Sequence, residues 1–168
     1  EVDEEAVKRA EDWLISKQRT DGSWTRRNYN ENSENRNRTT MLTAYIARTL
    51  ALAESTNTDA LNKALAFLKT RNEEIDEPYA LALYGLASIE LGNKAEANSA
   101  GEKLSEMAIN EGGGVYWKLE TNTPFYGWGK AGRIETTALV VQLLTKNGDK
   151  KNANTRLNRK RHTILIEK

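Results

Sequence analysis

The stretch "AVKRAEDWLISKQRTDGSW", residues 6–24, decides the fold, because it joins a helical pattern to a turn that ends in a single tryptophan. Its alanine, tryptophan and leucine residues recur at the spacing of one helix face. Asp21 and Gly22 supply turn geometry after that helix. We therefore predict a helix over residues 3–19, and we expect Trp24 to fold back against the helix end or its neighbour.

Six further segments have helical patterning, with glycine or polar residues between them. With only two prolines in 168 residues, long helices are allowed almost everywhere. No alternating apolar and polar run is long enough to predict a strand. The predicted helices after the first span residues 39–55, 59–71, 77–92, 94–110, 134–148 and 151–168.

The helices are of two kinds that alternate along the chain. "TAYIARTLALA", "PYALALYGLASI" and "ETTALVVQLL" are apolar round most of their circumference, whereas the helices between them carry one apolar stripe. The stripes "WLISK" (13–17), "FLKTR" (67–71) and "ILIEK" (164–168) resemble one another. This repetition predicts an all-α array of helical hairpins, in which outer helices cover buried inner ones.

Composition excludes several classes of function. The 25 basic and 24 acidic residues give a net charge of +1, which argues against a broad nucleic-acid surface. Cysteine is absent, so disulfides, thiolate metal sites and cysteine nucleophiles are excluded, and we expect no cofactor or metal. The single histidine, His162, lies in a basic stretch and is predicted to be an exposed helix residue. No apolar run reaches a membrane span, and the first residues do not form a signal peptide.

The motif A-x-x-W-L-x-x-x-Q-x-x-D-G-S-W, residues 10–24, resembles the glutamine–tryptophan motif of α/α-toroid proteins. These include terpenoid cyclases, prenyltransferase β-subunits and the thioester domains of the alpha-2-macroglobulin and complement family. The motif's structural turn here consists of Gln18, Asp21, Gly22 and Trp24. This resemblance implies an α/α toroid with alternating outer and inner helices.

Two further stretches, "RTTMLTAYIARTLALA" (38–53) and "VYWKLETNTPFYGWGKAGRIETTALVVQLL" (115–144), are similar to the third group, to its bacterial members in particular. The resemblance implies a non-enzymatic helical domain of a protease-trapping protein, an endopeptidase inhibitor, that is extracellular or periplasmic. Its partners would be a target protease, met through the full-length parent protein, and the parent's other domains. The sequence has no C-G-E-Q thioester motif, and its loop after Trp24 lacks the histidine of some complement-like relatives.

Complete toroids of this superfamily have six outer and six inner helices, so the seven predicted here imply a partial ring. We expect residues 1–168 to form a single domain that is truncated at one or both ends. Inner helices that lack neighbours would expose an apolar face, which is uncommon for a monomer. We therefore expect self-association through the exposed inner-helix face.

The segment of residues 112–133 combines five aromatic side chains with six glycines. Such a loop can build a carbohydrate or peptide groove, or it can cap a hydrophobic core. Arg133 is expected to tie down the loop, and Glu135 to satisfy free N–H groups where the next helix starts. The candidate interaction surface consists of Tyr116, Trp117, Phe125, Tyr126, Trp128, Arg133 and Glu135.

An enzymatic alternative is a fragment of a toroid enzyme of the terpenoid-cyclase, prenyltransferase or polysaccharide-lyase type. The D-x-D-D box of the resembling cyclases and the zinc-binding set of the prenyltransferases are absent, so catalytic residues would lie outside this sequence. The acidic runs 3–5 and 73–77 are explained by their places at helix starts. The Asn-rich segment 25–38 is predicted to be a solvated connection, and the glycosylation triplet Asn37-Arg38-Thr39 begins within it.

Overall fold

The computed structural model describes residues 3–25, 33–119, 123–124, 127 and 129–148, and the structural statements below concern these residues. They form six α-helices, a single 3₁₀ turn at Asn72–Glu74 and one short β-hairpin. The all-α prediction is thereby confirmed. In chain order the elements are α1 (Glu4–Ser16), α2 (Ser33–Leu52), α3 (Thr58–Thr70), α4 (Pro78–Glu90), α5 (Lys94–Glu106), β1 (Ile109–Glu111), β2 (Gly114–Tyr116) and α6 (Gly129–Lys146).

The helices form the arc of an α/α toroid, with α2, α4 and α6 as the inner layer and α1, α3 and α5 as the outer layer. Helix α4 packs against α2, α5 and α6, and its residues from Pro78 to Ser88 are all buried. An all-round apolar sequence requires such burial, because any exposed side would place apolar surface in water. The outer helix α3 buries only one face, as its single apolar stripe predicts.

Local chemistry sets several helix starts. The Asp3 carboxylate accepts a hydrogen bond from the Glu5 amide at 3.0 Å, which caps α1. The Asn57 side chain caps α3 in the same way, accepting from the Ala60 amide at 3.0 Å. Pro78 occupies the first turn of α4, where its fixed φ suits the helix and its missing N–H costs no hydrogen bond.

Polar contacts join the outer helices α3 and α5. Lys69 and Glu96 form an ion pair with 2.8 Å between Nζ and Oε1. The Lys103 ammonium of α5 donates to the carbonyl oxygens of Asn72 at 2.7 Å and Glu73 at 2.9 Å. These carbonyls belong to the 3₁₀ turn that follows α3, so Lys103 ties that turn to α5.

The structure corrects the prediction of a helix over residues 94–110 and of a chain without strands. Helix α5 ends at Glu106, and β1 pairs with β2 in antiparallel register, with Glu111 opposite Gly114. Gly112 and Gly113 form the two-residue turn, with φ of 58° and 87°. Positive φ at both turn residues is the geometry that suits the right-handed twist of a hairpin, and glycine adopts it without steric cost.

Two inner helices start before the predicted positions. Helix α2 begins at Ser33 instead of residue 39, so part of the predicted connection 25–38 is helical, and α6 begins at Gly129 instead of residue 134. Their first turns are polar or rich in glycine, so they add nothing to the apolar period from which the predictions were made. The predicted seventh helix, 151–168, and His162 lie outside the described residues.

Candidate functional site

Trp24 anchors the link between the first outer helix and the first inner helix. Its side chain is only 2% exposed. The indole Nε1 donates to the Leu14 carbonyl near the end of α1 at 2.7 Å, and the backbone amide donates to the Thr43 hydroxyl of α2 at 3.0 Å. A single tryptophan therefore fixes the link to both helices, by burial and by hydrogen bonding.

Gln18 and Gly22 join this turn to the next outer helix. The Gln18 amide nitrogen donates to the Gly22 carbonyl at 3.0 Å and to the Ala60 carbonyl of α3 at 2.8 Å. Gly22 has φ of 86°, and a Cβ atom placed on it would lie 2.3 Å from the Lys63 carbonyl oxygen. Only glycine fits here, because both the backbone angle and the approach to α3 exclude a side chain.

The Asp21 carboxylate closes the turn from within. It accepts from the backbone amide of Ser23 at 3.0 Å and from its hydroxyl at 2.7 Å. Burial acts to raise the pKa of Asp21, but the hydrogen bonds from Ser23 and the nearby Arg19 guanidinium together hold that pKa below its ordinary value. The charged form of Asp21 is thus the form that the folded turn stabilises.

Trp117 repeats the arrangement of Trp24 at the third pair of helices. It is 4% exposed, its indole Nε1 donates to the Leu104 carbonyl of α5 at 2.6 Å, and its amide donates to the Thr137 hydroxyl of α6 at 3.2 Å. The sequence left a surface role and a core-capping role open for this residue. The structure places Trp117 in the core, with two hydrogen-bond partners equivalent to those of Trp24.

The two tryptophan anchors form a repeated site. In each, the indole donates to a carbonyl of the outer helix and the backbone amide donates to a threonine hydroxyl of the inner helix. The sequence analysis singled out both tryptophans but not the threonines whose hydroxyls accept hydrogen bonds from the tryptophan backbone amides. The signal was present, because each threonine follows its tryptophan by 19 or 20 residues at the same stage of an inner helix. A search for tryptophan and threonine at that separation would have found the repeat.

Tyr116 and Arg133, both candidates for an interaction surface, lie together. The Arg133 guanidinium lies 4.4 Å from the centre of the Tyr116 ring, which joins β2 to α6 through a cation–π contact. The Tyr116 hydroxyl donates to the Glu111 carboxylate of β1 at 2.6 Å. That hydrogen bond raises the pKa of Tyr116 above its ordinary value, because it favours the neutral phenol.

Glu135 does not lie at the start of an inner helix, because α6 begins at Gly129. Its carboxylate instead accepts a hydrogen bond from the buried Tyr79 hydroxyl of α4 at 2.8 Å. Burial, followed by the contact with Glu135, raises the pKa of Tyr79 well above its ordinary value. The other three candidate aromatic residues, Phe125, Tyr126 and Trp128, lie outside the described residues.

A polar cavity of about 280 Å³ lies where α2 and α4 begin. A smaller cavity of about 90 Å³ adjoins it, and Arg36 and Arg71 line both. Asn37, of the predicted glycosylation triplet, lies on α2 and lines the larger cavity. Within the described ranges, no three histidine, cysteine or acidic side chains are grouped so that they could hold a metal ion.

None of the helices in the described part of the chain combines the length and the apolar character that a membrane crossing requires. A search of curated proteins gives no match to the chain. The family described as A-macroglobulin TED domain matches residues 1–158, almost the entire length, and it has the helical architecture seen here. The chain therefore belongs to the A-macroglobulin TED domain family.

Proposed function

We propose that this chain is a non-enzymatic helical domain of an alpha-2-macroglobulin-like protein that traps proteases outside the cytoplasm, in the periplasm or the extracellular space. The observation that carries the proposal is the family match over residues 1–158. The domain would act as a rigid body that presents its surfaces to the parent's other domains and to the trapped protease.

The proposal divides the chemistry between this chain and the rest of the parent. The chain has no cysteine, so a Cys–Gln thioester cannot form from its own residues. The contribution of this chain would be a rigid helical domain. The anchors at Trp24 and Trp117 tie outer to inner helices at two of the three helix pairs, which supports a domain that moves as a unit when the parent changes conformation.

Self-association through a second copy is part of the proposal. The sequence predicted an exposed inner-helix face, and although α4 is buried, two of the four exposed large apolar side chains of the described residues lie on the inner helices α2 and α6. Val7 and Trp13 lie on α1, Leu52 ends α2 and Ile134 lies in α6. With Ile134 of the inner helix α6 54% exposed, we expect sedimentation equilibrium to give dimers that Ile134→Glu reduces to monomers; a wild-type monomer at high concentration would contradict self-association.

The trapping function is tested on the full-length parent. The parent is incubated with trypsin, and the residual activity is measured against a small chromogenic ester and against a protein substrate. Trapping predicts that the enzyme keeps its activity on the ester but loses most of its activity on the protein. Trp117→Ala, which should loosen the domain, is expected to weaken that protection, with Trp13→Phe as the matched control.

A parent that leaves trypsin equally active on both substrates would refute protease trapping. Labelled methylamine addresses the separate question of a thioester, because the amine is incorporated only where an activated acyl group is present. Incorporation mapped outside residues 1–168 would assign the covalent step to the rest of the parent.

A further inference from the structure

The adjoining cavities at the start of α2 and α4 are lined by charged side chains of both signs. The links that follow α1 and α3 bound these cavities, together with the first turns of α2 and α4. Arg36 and Arg71 stand between the two spaces because they line both. Neither guanidinium forms an ion pair within the described residues.

Arg71 is held in place without using its hydrogen-bond donors. Its guanidinium carbon lies 4.7 Å from the centre of the Phe67 ring, so the ring supports one face of the planar group. Stacking leaves the N–H groups at the edge of the guanidinium free to donate, and this is the geometry in which arginine recognises carboxylates. Because the side chain is already ordered, less conformational entropy is lost on binding.

The larger cavity is also lined by the carboxylate of Glu77, which is 4% exposed, and it carries further negative charge from Glu74 and Asp76 in the link between α3 and α4. The side chains of Glu74 and Asp76 are exposed. A polyanion would be repelled by the carboxylates of this cavity, and a simple cation would be repelled by its two guanidinium groups. Neither kind of ligand is therefore favoured. A ligand that carries one carboxylate next to one cationic group satisfies both kinds of charge.

We propose that this cavity binds a peptide segment that carries an acidic residue next to a basic one. The acidic side chain would bridge Arg36 and Arg71, and the basic side chain would face Glu74 and Asp76. A volume of about 280 Å³ is close to the lower end of known ligand pockets, which suits two side chains and not a longer segment. The proposal is independent of protease trapping, because it concerns recognition by the isolated chain.

The test is an NMR titration of the isotope-labelled chain with the peptide acetyl-Gly-Glu-Lys-Gly-amide. We expect saturable shifts at the amides of the larger cavity, with a Kd on the order of 1 mM. The matched peptide with glutamine in place of glutamate should bind at least tenfold more weakly. Arg71→Gln and Arg36→Gln should each weaken binding at least fivefold, whereas Arg9→Gln, a charge removed from exposed α1, should leave it unchanged.

Three results would overturn the proposal. One is the absence of saturable shifts, and another is equal binding of the glutamate and glutamine peptides. The third is competition by inorganic phosphate or acetate at the same concentration as the peptide, which would indicate simple anion binding. Two arginine variants are used, with circular dichroism of each, so that misfolding of one cannot be taken for loss of the site.

Discussion

The two tryptophan anchors have equivalent pairs of hydrogen-bond partners, yet we predict that they differ in energetic importance. The variants Trp24→Phe and Trp117→Phe each keep an aromatic ring and remove the indole N–H. The two carbonyls that lose this donor are left in different situations. Leu14 also accepts from the Lys17 amide at 3.0 Å and is partly exposed, whereas Leu104 is fully buried, and no second donor to its carbonyl is found among the described residues.

The magnitudes follow from this difference. Each variant loses a hydrogen bond with a net contribution of about 1 kcal/mol and leaves a small cavity, which costs about 1 kcal/mol more. Trp24→Phe should therefore lower the free energy of unfolding by about 2 kcal/mol. Trp117→Phe also leaves a buried acceptor without a partner, which adds about 1–3 kcal/mol. Its total cost should be about 3–5 kcal/mol.

The assay is urea unfolding followed by far-UV circular dichroism, because this signal does not depend on tryptophan fluorescence. The midpoint should fall more for Trp117→Phe than for Trp24→Phe, with the slope against urea unchanged. Trp13→Phe is the control, and since Trp13 is 61% exposed, its cost should be within about 0.5 kcal/mol. Equal losses for the two anchors, or a larger loss at Trp24, would refute the reasoning from unpaired carbonyls.

Three further predictions rest on single contacts. Gly22→Ala should lower the free energy of unfolding, measured in urea, by about 3 kcal/mol or more, and the control Gly92→Ala should lower it by about 1 kcal/mol. Both glycines have positive φ, but only at Gly22 would an added Cβ clash with a neighbouring carbonyl. Burial raises the pKa of Tyr84 to about 12, so the stabilisation that comes from its neutral phenol is fully present below about pH 10 and is lost as pH rises toward 12. Tyr84→Phe should therefore reduce the loss of unfolding free energy over this pH range, measured by urea unfolding at each pH, by on the order of 2 kcal/mol. A double-mutant cycle of Tyr79→Phe and Glu135→Gln should give a coupling of about 1–2 kcal/mol, and additive effects would contradict a stabilising hydrogen bond.

The helical layers could be predicted because their signal is local. An apolar surface all round "PYALALYGLASI" requires burial on every side, whichever helices provide it. The turn after α1 was predictable for a similar reason, since Asp21 and Gly22 act within a few residues of one another. Periodicity and turn chemistry therefore determined the number of helices in the described part and their alternation.

The hairpin and the early helix starts were missed because their signals are weak or compete with others. Ile109 and Val115 are the apolar residues of two strands of three residues each, too short for an alternating pattern. The consecutive glycines at 112 and 113 were a hairpin signal, but they were interpreted as part of the glycine-rich aromatic segment 112–133.

The contacts of the candidate sites could not be predicted because they join distant parts of the chain. The Tyr79 hydroxyl donates a hydrogen bond to the carboxylate of Glu135, which lies 56 residues away in the sequence. The prediction placed Glu135 at the start of a helix, because the polar first turn of α6 was not recognised. The cavity beside Arg36 and Arg71 likewise depends on how two links and two helices pack. No pattern within one segment encodes such an arrangement.

The middle link explains why the cavity lies where it does. At the α1–α2 and α5–α6 links a tryptophan fills the space between outer and inner helices, but the α3–α4 link carries Ile75 as its buried apolar residue. Isoleucine is smaller than tryptophan and has no side-chain donor, and Lys103 of the next outer helix donates to the carbonyls of Asn72 and Glu73 in this link. Ile75 also lines the larger cavity. We infer that replacing an indole by isoleucine at this link leaves room for the cavity, at the one place in the described arc where the tryptophan anchor is missing.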